Sequence, residues 1–240
     1  MKHALYSGSA NLYGDMQTAA KSLIANSDVR KVWLLTEGEY DYILPDMCEV
    51  VDVSGQKFFP KNSPNMNSKF SYLSLMRAAL ALMPELEGID RILSLDVDTI
   101  CCRDVSGIWD MPIDDCYFSA SREDMSCYKG MLYCNTGVTL YNLEKLRDGK
   151  AQEVVDALNW RTYVNIEQDV FSFLCQGHIH DMPSEYNATR FTDRTNLVRI
   201  NHYAGIKTEI WRNEPLVQQY RQMSWDRVME LHEEKVGKNG

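Results

Sequence analysis

Apolar residues in the first half of the chain fall into short β-rich runs separated by stretches with helical spacing. Residues 3–7, 32–36 and 49–53 are compact runs of the kind buried in a sheet. Between the first two, Met16, Ala19, Ala20, Leu23 and Ile24 recur at helical intervals, with Asp15 placed to cap the helix. Residues 55–67 hold two prolines, one glycine and three asparagines and read as a loop. From Ser68 a second helix carries Leu73, Met76, Leu80 and Met83 on one face until Pro84 stops it. A further apolar run then leads into Asp96 and Asp98. The strand–helix–strand rhythm predicts an α/β fold, with a mainly parallel central sheet flanked by helices.

The second half is more mixed. Residues 117–121, 137–141 and 198–203 have strand character, and residues 151–160, 165–176 and 215–234 have helical character. No internal repeat or linker divides the chain, which predicts one domain with two lobes.

The segment 91–98, Arg-Ile-Leu-Ser-Leu-Asp-Val-Asp, carries the most chemistry. Side chains two apart on a strand face the same way, so Asp96 and Asp98 should share one small volume at the strand's carboxyl end. Open α/β sheets bind their ligands there. Two carboxylates held so close repel unless a cation lies between them, and hard oxygen ligands suit Mg2+ or Mn2+. Three more segments add polar chemistry. Tyr-Cys-Asn-Thr-Gly-Val at 133–138 offers the Asn135 amide and the close backbone approach that Gly137 permits. Asn-Ile-Glu-Gln-Asp at 165–169 opens a helix. Asn-His-Tyr-Ala-Gly-Ile-Lys at 201–207 sets His202 at a strand end, then Gly205 and a lysine able to reach a phosphate, Lys207.

Composition narrows the partners. A formal charge of −9 over 240 residues argues against broad contact with nucleic acid or an anionic bilayer. No apolar run is long enough for a transmembrane segment, and the N-terminus reads as a first strand rather than a signal peptide. Seven cysteines, an odd number without a Cys-x-x-Cys pair, point to reduced thiols and a cytoplasmic location. His178 and His180 alternate along a strand, and with no third ligand in sight they read as structural.

Taken in order, the four segments resemble family 8 of the glycosyltransferases, which includes glycogenins and bacterial lipooligosaccharide galactosyltransferases. The resemblance runs from the first strand to Trp211. It implies a GT-A fold: a mixed, mostly parallel sheet with a Rossmann-like nucleotide-binding half (1–105), a sugar- and acceptor-binding half (106–213) and a C-terminal helix (214–236). It also implies transfer of a hexose, glucose or galactose, from a UDP-sugar with retention of anomeric configuration, using Mn2+ or Mg2+. On this resemblance Asp96, Asp98 and His202 hold the metal. Asn135 contacts the sugar, Arg77 and Lys207 meet the diphosphate, and Gly137 and Gly205 line the donor. Gln168 lies at the sugar's reacting face, and Asp169 is expected to hydrogen-bond sugar hydroxyls. The pair Tyr186-Asn187 matches an aromatic–Asn pair of the family.

Two departures stand out. The stretch 6–11, Tyr-Ser-Gly-Ser-Ala-Asn, lacks the acids that help many relatives to bind uridine, leaving Ser7 and Asn11 as substitutes. Lys207 sits one place closer to its glycine than the family spacing. A carboxylate after a later strand is Glu123 or Asp124. The chain's end is neither strongly basic nor apolar, which favours a soluble saccharide or protein acceptor. The helix at 215–234 is a candidate dimer surface. Two other readings compete: a haloacid-dehalogenase-like phosphatase with Asp96 as nucleophile, and a non-catalytic sugar-binding relative.

Overall fold

The computed structural model describes residues 1–123, 130–192 and 197–239. Asp124 and Cys127 lie outside the described residues. In chain order the strands are β1 (His3–Ser7), β2 (Lys31–Thr36), β3 (Cys48–Asp52), β4 (Arg91–Leu95), β5 (Thr99–Cys101), β6 (Phe118–Arg122), β7 (Cys134–Asn142), β8 (Ile179–Asp181) and β9 (Ile200–His202). The helices are α1 (Tyr13–Ala25), α2 (Tyr72–Ala79), α3 (Leu143–Leu146), α4 (Lys150–Trp160), α5 (Ile166–Leu174), α6 (Thr208–Trp211), α7 (Pro215–Gln222) and α8 (Trp225–Asn239).

Seven strands form one sheet in the order β3-β2-β1-β4-β7-β6-β8, while β5 and β9 make a separate two-stranded ribbon. Strands β3, β2, β1 and β4 run parallel, and β7 is antiparallel to both β4 and β6. Alternation along β1 divides the core. Leu5 faces one apolar cluster with α2, α4 and α5, whereas Ala4 and Tyr6 face another with α1, α7 and α8. The sheet is therefore covered on both faces, which is why its strands read as near-continuous apolar runs. The chain winds outward from β1 to β3 and then returns to place β4 on the other side of β1. That reversal opens a crevice at the carboxyl ends of β1 and β4.

Two local expectations change. Asp15 does not cap α1: Leu12 holds that position, and Asp15 is buried, paired with Arg212 and Arg221. The terminal helix is two helices, broken at Met223, whose carbonyl turns to accept from Lys21 Nζ at 2.7 Å. Val217, Tyr220 and Val228 are buried in the cluster that contains α1. All six described cysteines are free thiols, and burial pushes Cys48, Cys134 and Cys175 up to about 12.

Candidate functional site

Strand β4 ends at Leu95, so the two aspartates do not sit on its pleat as the alternation argument assumed. They lie in the turn that joins β4 to β5. Thr99 closes the turn, donating from its backbone N (3.2 Å) and its hydroxyl (2.6 Å) to the Asp96 carbonyl. Asp96 N in turn donates to the Gly137 carbonyl at 2.8 Å. The turn still brings the carboxylates together, and the ribbon adds the third group. Antiparallel pairing of β5 with β9 sets Thr99 opposite His202. Asp96, Asp98 and His202 thus offer ligand atoms that all lie within 4.8 Å of one another.

His202 is oriented for ligation. Its Nε2 stands 3.5 Å from Asp96 Oδ2 and 3.4 Å from Asp98 Oδ1. Its Nδ1 lies 2.7 Å from Asn187 Oδ1. Asn187 Nδ2 donates to Asn135 Oδ1 at 3.0 Å, which leaves the Asn187 oxygen to accept from the imidazole. That bond fixes a proton on Nδ1 and turns Nε2 to the aspartates, so that Nε2 is the nitrogen that would ligate a metal once its own proton is displaced. The ring packs flat on Gly137: a β-carbon there would lie 2.8 Å from both ring nitrogens and closer still to Cε1. Two carboxylates and one imidazole are a donor set suited to Mn2+ or Mg2+, and the tautomer, the cradle and the spacing all fit such an ion.

Electrostatics explain why these groups tolerate one another. Burial disfavours the charged forms of both Asp96 and His202. Arg77 and His202 nevertheless hold Asp96 below the usual carboxylate range, and Asp98 and Asp96 hold His202 above the usual imidazole range.

Arg77, expected at the diphosphate, lines both cavities with its two terminal nitrogens partnered inside the protein. It is 6% exposed, pairs with Asp96, stands 3.5 Å from Glu167 Oε1, and donates at 2.8 Å to the Thr136 carbonyl. Its place is beneath the metal ligand, steadying Asp96. Glu167 is the residue that sequence reasoning missed, although it stood in the quoted segment 165–169. Burial pushes its carboxyl up to about 7 despite the Arg77 charge. Beside it Ile166 has a φ of 36°, a left-handed backbone that a β-branched residue rarely adopts. Strain of that kind concentrates at functional sites.

Gln168 is pinned from both ends of its amide. Its Nε2 donates to Glu123 Oε2 and to Tyr133 Oη, each at 2.9 Å, and its Oε1 accepts from Thr136 N at 3.2 Å. Asn135 Nδ2 reaches the same Glu123 oxygen at 3.3 Å. One hydrogen-bonded chain therefore runs from His202 through Asn187, Asn135 and Glu123 to Gln168. Glu123, one of the two acids considered after β6, lines the cleft.

Asp169 behaves differently. It is 2% exposed and its oxygens are taken by Tyr133 Oη (2.6 Å) and the backbone N–H groups of Val164 (3.1 Å) and Asn165 (3.0 Å). The expected contact with sugar hydroxyls finds no free acceptor there. Asp169 instead anchors the start of α5 behind Gln168.

Two cavities meet at the aspartates. One, of about 500 Å3, is lined by Asn135, Gln168, Glu123, Gly205 and His202. The other, of about 300 Å3, opens at the carboxyl ends of β1 and β4 and is lined by Ser7, Gly8, Leu12, Ile206 and Trp211. Asp96, Asp98, Arg77 and Phe70 line both. Ser7 thus lines the smaller cavity and Gly205 the larger, and Gly205 has a φ of 68° that favours glycine. Asn11 is exposed, its side-chain oxygen accepting from the Ser9 hydroxyl and its carbonyl from Arg212. Tyr186 points to a different surface, against Arg199. Lys207 also falls outside. Ile206 and Thr208 face the second cavity, so the lysine between them turns to solvent. His180 and His178 are structural, bonded to the Ser119 hydroxyl (2.9 Å) and the Asp115 carbonyl (3.0 Å).

Residues 26–214 match the family model described as Glycosyl transferase family 8. The chain belongs to glycosyltransferase family 8. A putative glycosyltransferase of Haemophilus influenzae is 26% identical over 169 residues, covering 59% of this chain and 50% of that protein. The glycosyltransferase GlyE of Streptococcus pneumoniae is 22% identical over 199 residues, covering 76% of this chain and 47% of GlyE. The chain spans about half the length of these curated relatives.

Among solved structures, an active-site mutant of LgtC superposes with a TM-score of 0.71 at 20% identity, covering 97% of this chain and 95% of LgtC. The galactosyltransferase LgtC in complex with donor and acceptor sugar analogues gives 0.66 at 19% identity, with the same coverage. These neighbours share the GT-A fold, and the sheet described above is that fold. The family match sets the chain among the glycosyltransferases, and Asp96, Asp98 and His202 form a group that could hold a metal ion.

Proposed function

We propose that this glycosyltransferase is a metal-dependent, retaining hexosyltransferase that moves glucose or galactose from a UDP-sugar to a soluble saccharide or protein acceptor in the cytoplasm. The observation that carries this reading is the convergence of Asp96, Asp98 and His202 where the two cavities meet. The smaller cavity, at the sheet's switch point, suits the nucleoside diphosphate. The larger one suits the hexose and the acceptor. Together they have the size of an ordinary small-molecule site.

When bound by Asp96, Asp98 and His202, Mn2+ or Mg2+ supplies positive charge for the departing diphosphate without any proton transfer. The chain's own residues supply the geometry. Gln168, fixed through Glu123, Tyr133 and Thr136, presents its amide oxygen to the sugar's reacting face. Because that amide costs no reorganisation at the moment of reaction, it can steady the oxocarbenium-like sugar. An amide is a poor nucleophile, so retention follows from front-face attack. The acceptor oxygen bonds to the anomeric carbon as the diphosphate leaves, and a diphosphate oxygen takes the acceptor's proton. Asn135, held by Glu123, Asn187 and Gly137, positions a sugar hydroxyl.

The test is Mn2+-dependent release of UDP from UDP-glucose and UDP-galactose, with the product anomer read by proton NMR. Turnover of either donor to an α product supports the reading. No turnover of any UDP-hexose by the native protein, with or without acceptors, removes it and leaves a non-catalytic relative.

A further inference from the structure

We propose that Lys69, rather than Lys207, is the cation that binds the leaving diphosphate; this rests on the donor reading above. The departing group carries at least two negative charges beside Asp96 and Asp98, whose charges already cancel those of a divalent ion. Further positive charge must come from the walls. Among the described residues, Arg77 and Lys69 are the arginine and lysine side chains that line the two cavities. The Arg77 guanidinium is committed to Asp96, Glu167 and the Thr136 carbonyl. Lys69 forms no ion pair among the described residues, and it lines the smaller cavity together with Asp96, Asp98 and Ser7.

Its segment is held in place. Asn65, fully buried, donates to the carbonyls of Leu158 (2.6 Å) and Arg161 (2.8 Å) and accepts from Ser68 N at its own carbonyl (3.2 Å). Ser71 caps α2, accepting from Leu73 N at 3.3 Å. Between these anchors the Lys69 ammonium stands 4.8 Å from the centre of the Phe70 ring, and that ring faces both cavities. As the anomeric carbon–oxygen bond breaks, its electron pair goes to the β-phosphate oxygen, and the ammonium stabilises that oxygen by a charge-assisted hydrogen bond.

Isothermal titration of the full chain with Mn2+ plus UDP, Mn2+ plus pyrophosphate, and uridine alone tests the assignment. Lys69→Met should weaken both diphosphate ligands by about tenfold and leave uridine unchanged, while Lys207→Met should match the native protein. Unchanged diphosphate affinity in Lys69→Met, or an equal loss in Lys207→Met, overturns it. Native protein that binds pyrophosphate through Lys69 but not UDP removes the UDP donor reading and keeps this one. Binding of neither ligand by native protein removes both.

Discussion

Gly137→Ala displaces the His202 imidazole of the candidate metal site without replacing any of its three residues. The added methyl would lie 2.8 Å from His202 Nδ1 and Nε2, about 0.6 Å short of the 3.4 Å that ordinary contacts keep, and nearer still to Cε1. The ring cannot stay where it is. Metal–ligand distances tolerate about 0.2 Å, so a displacement three times that size takes Nε2 out of reach. It also stretches the Asn187 bond that sets the tautomer. Loss of a supporting partner alone weakens metal sites about 10- to 100-fold, and displacing the ligand should cost at least as much. Crowding a packed position costs about 1–3 kcal/mol, which at roughly 2–4 °C per kcal/mol for a domain of this size leaves a folded protein. The assay is Mn2+ titration by calorimetry, with circular dichroism to establish the fold. A folded Gly137→Ala protein that binds Mn2+ within twofold of native would refute the site's geometry.

Other outcomes follow from the same contacts. Asn187→Ala removes the partner of His202 Nδ1 and should weaken Mn2+ binding about 10- to 100-fold, with unchanged affinity counting against the tautomer argument. Because the carboxylates hold His202 above its ordinary value, it carries a proton in the metal-free protein at neutral pH. That charged form contributes stability fully below about pH 6.5, and the contribution fades as pH rises through the raised folded value. Metal must displace this proton, so Mn2+ affinity should climb by up to about tenfold per pH unit between pH 6 and 8. Titrations in buffers of different ionisation enthalpy should show close to one proton released, and a flat profile would contradict this. Asp15→Asn strips Arg212 and Arg221 of their shared buried carboxylate. Breaking a fully buried pair costs about 3–5 kcal/mol, but these arginines are 33% and 36% exposed. A cost of about 2 kcal/mol and a melting point lower by roughly 4–8 °C is expected in a thermal scan. A change under 1 °C would show that the pair does not tie α1 to the terminal helices.

The parallel half of the fold was readable because each buried strand is an unbroken apolar run and each helix shows one apolar stripe. The ligand residues were readable for a different reason: Asp96, Asp98 and His202 stand in motifs whose order along the chain matches a family. Their geometry was not. The aspartates converge through a turn closed by Thr99, and the histidine through β5–β9 pairing, and neither contact has a periodic signal. Arg77, Asp169 and Lys207 carry the right chemistry at or near the right positions, yet which groups they face depends on partners distant in the chain. Arg77 is claimed by Glu167, and Asp169 by Tyr133. Only Lys207 gave a warning, through its shortened spacing from Gly205, and it is exposed. The break at Met223 was hidden because the amphipathic pattern runs on through it, while the carbonyl that ends α7 is bound by Lys21 from α1.

The most direct test of the account is calorimetric titration of UDP, with and without Mn2+, into the native protein and into Asp98→Ala. The account predicts binding by the native protein that requires Mn2+ and is lost in Asp98→Ala. UDP binding that is indifferent to both the metal and Asp98, or no binding in any condition, would contradict it.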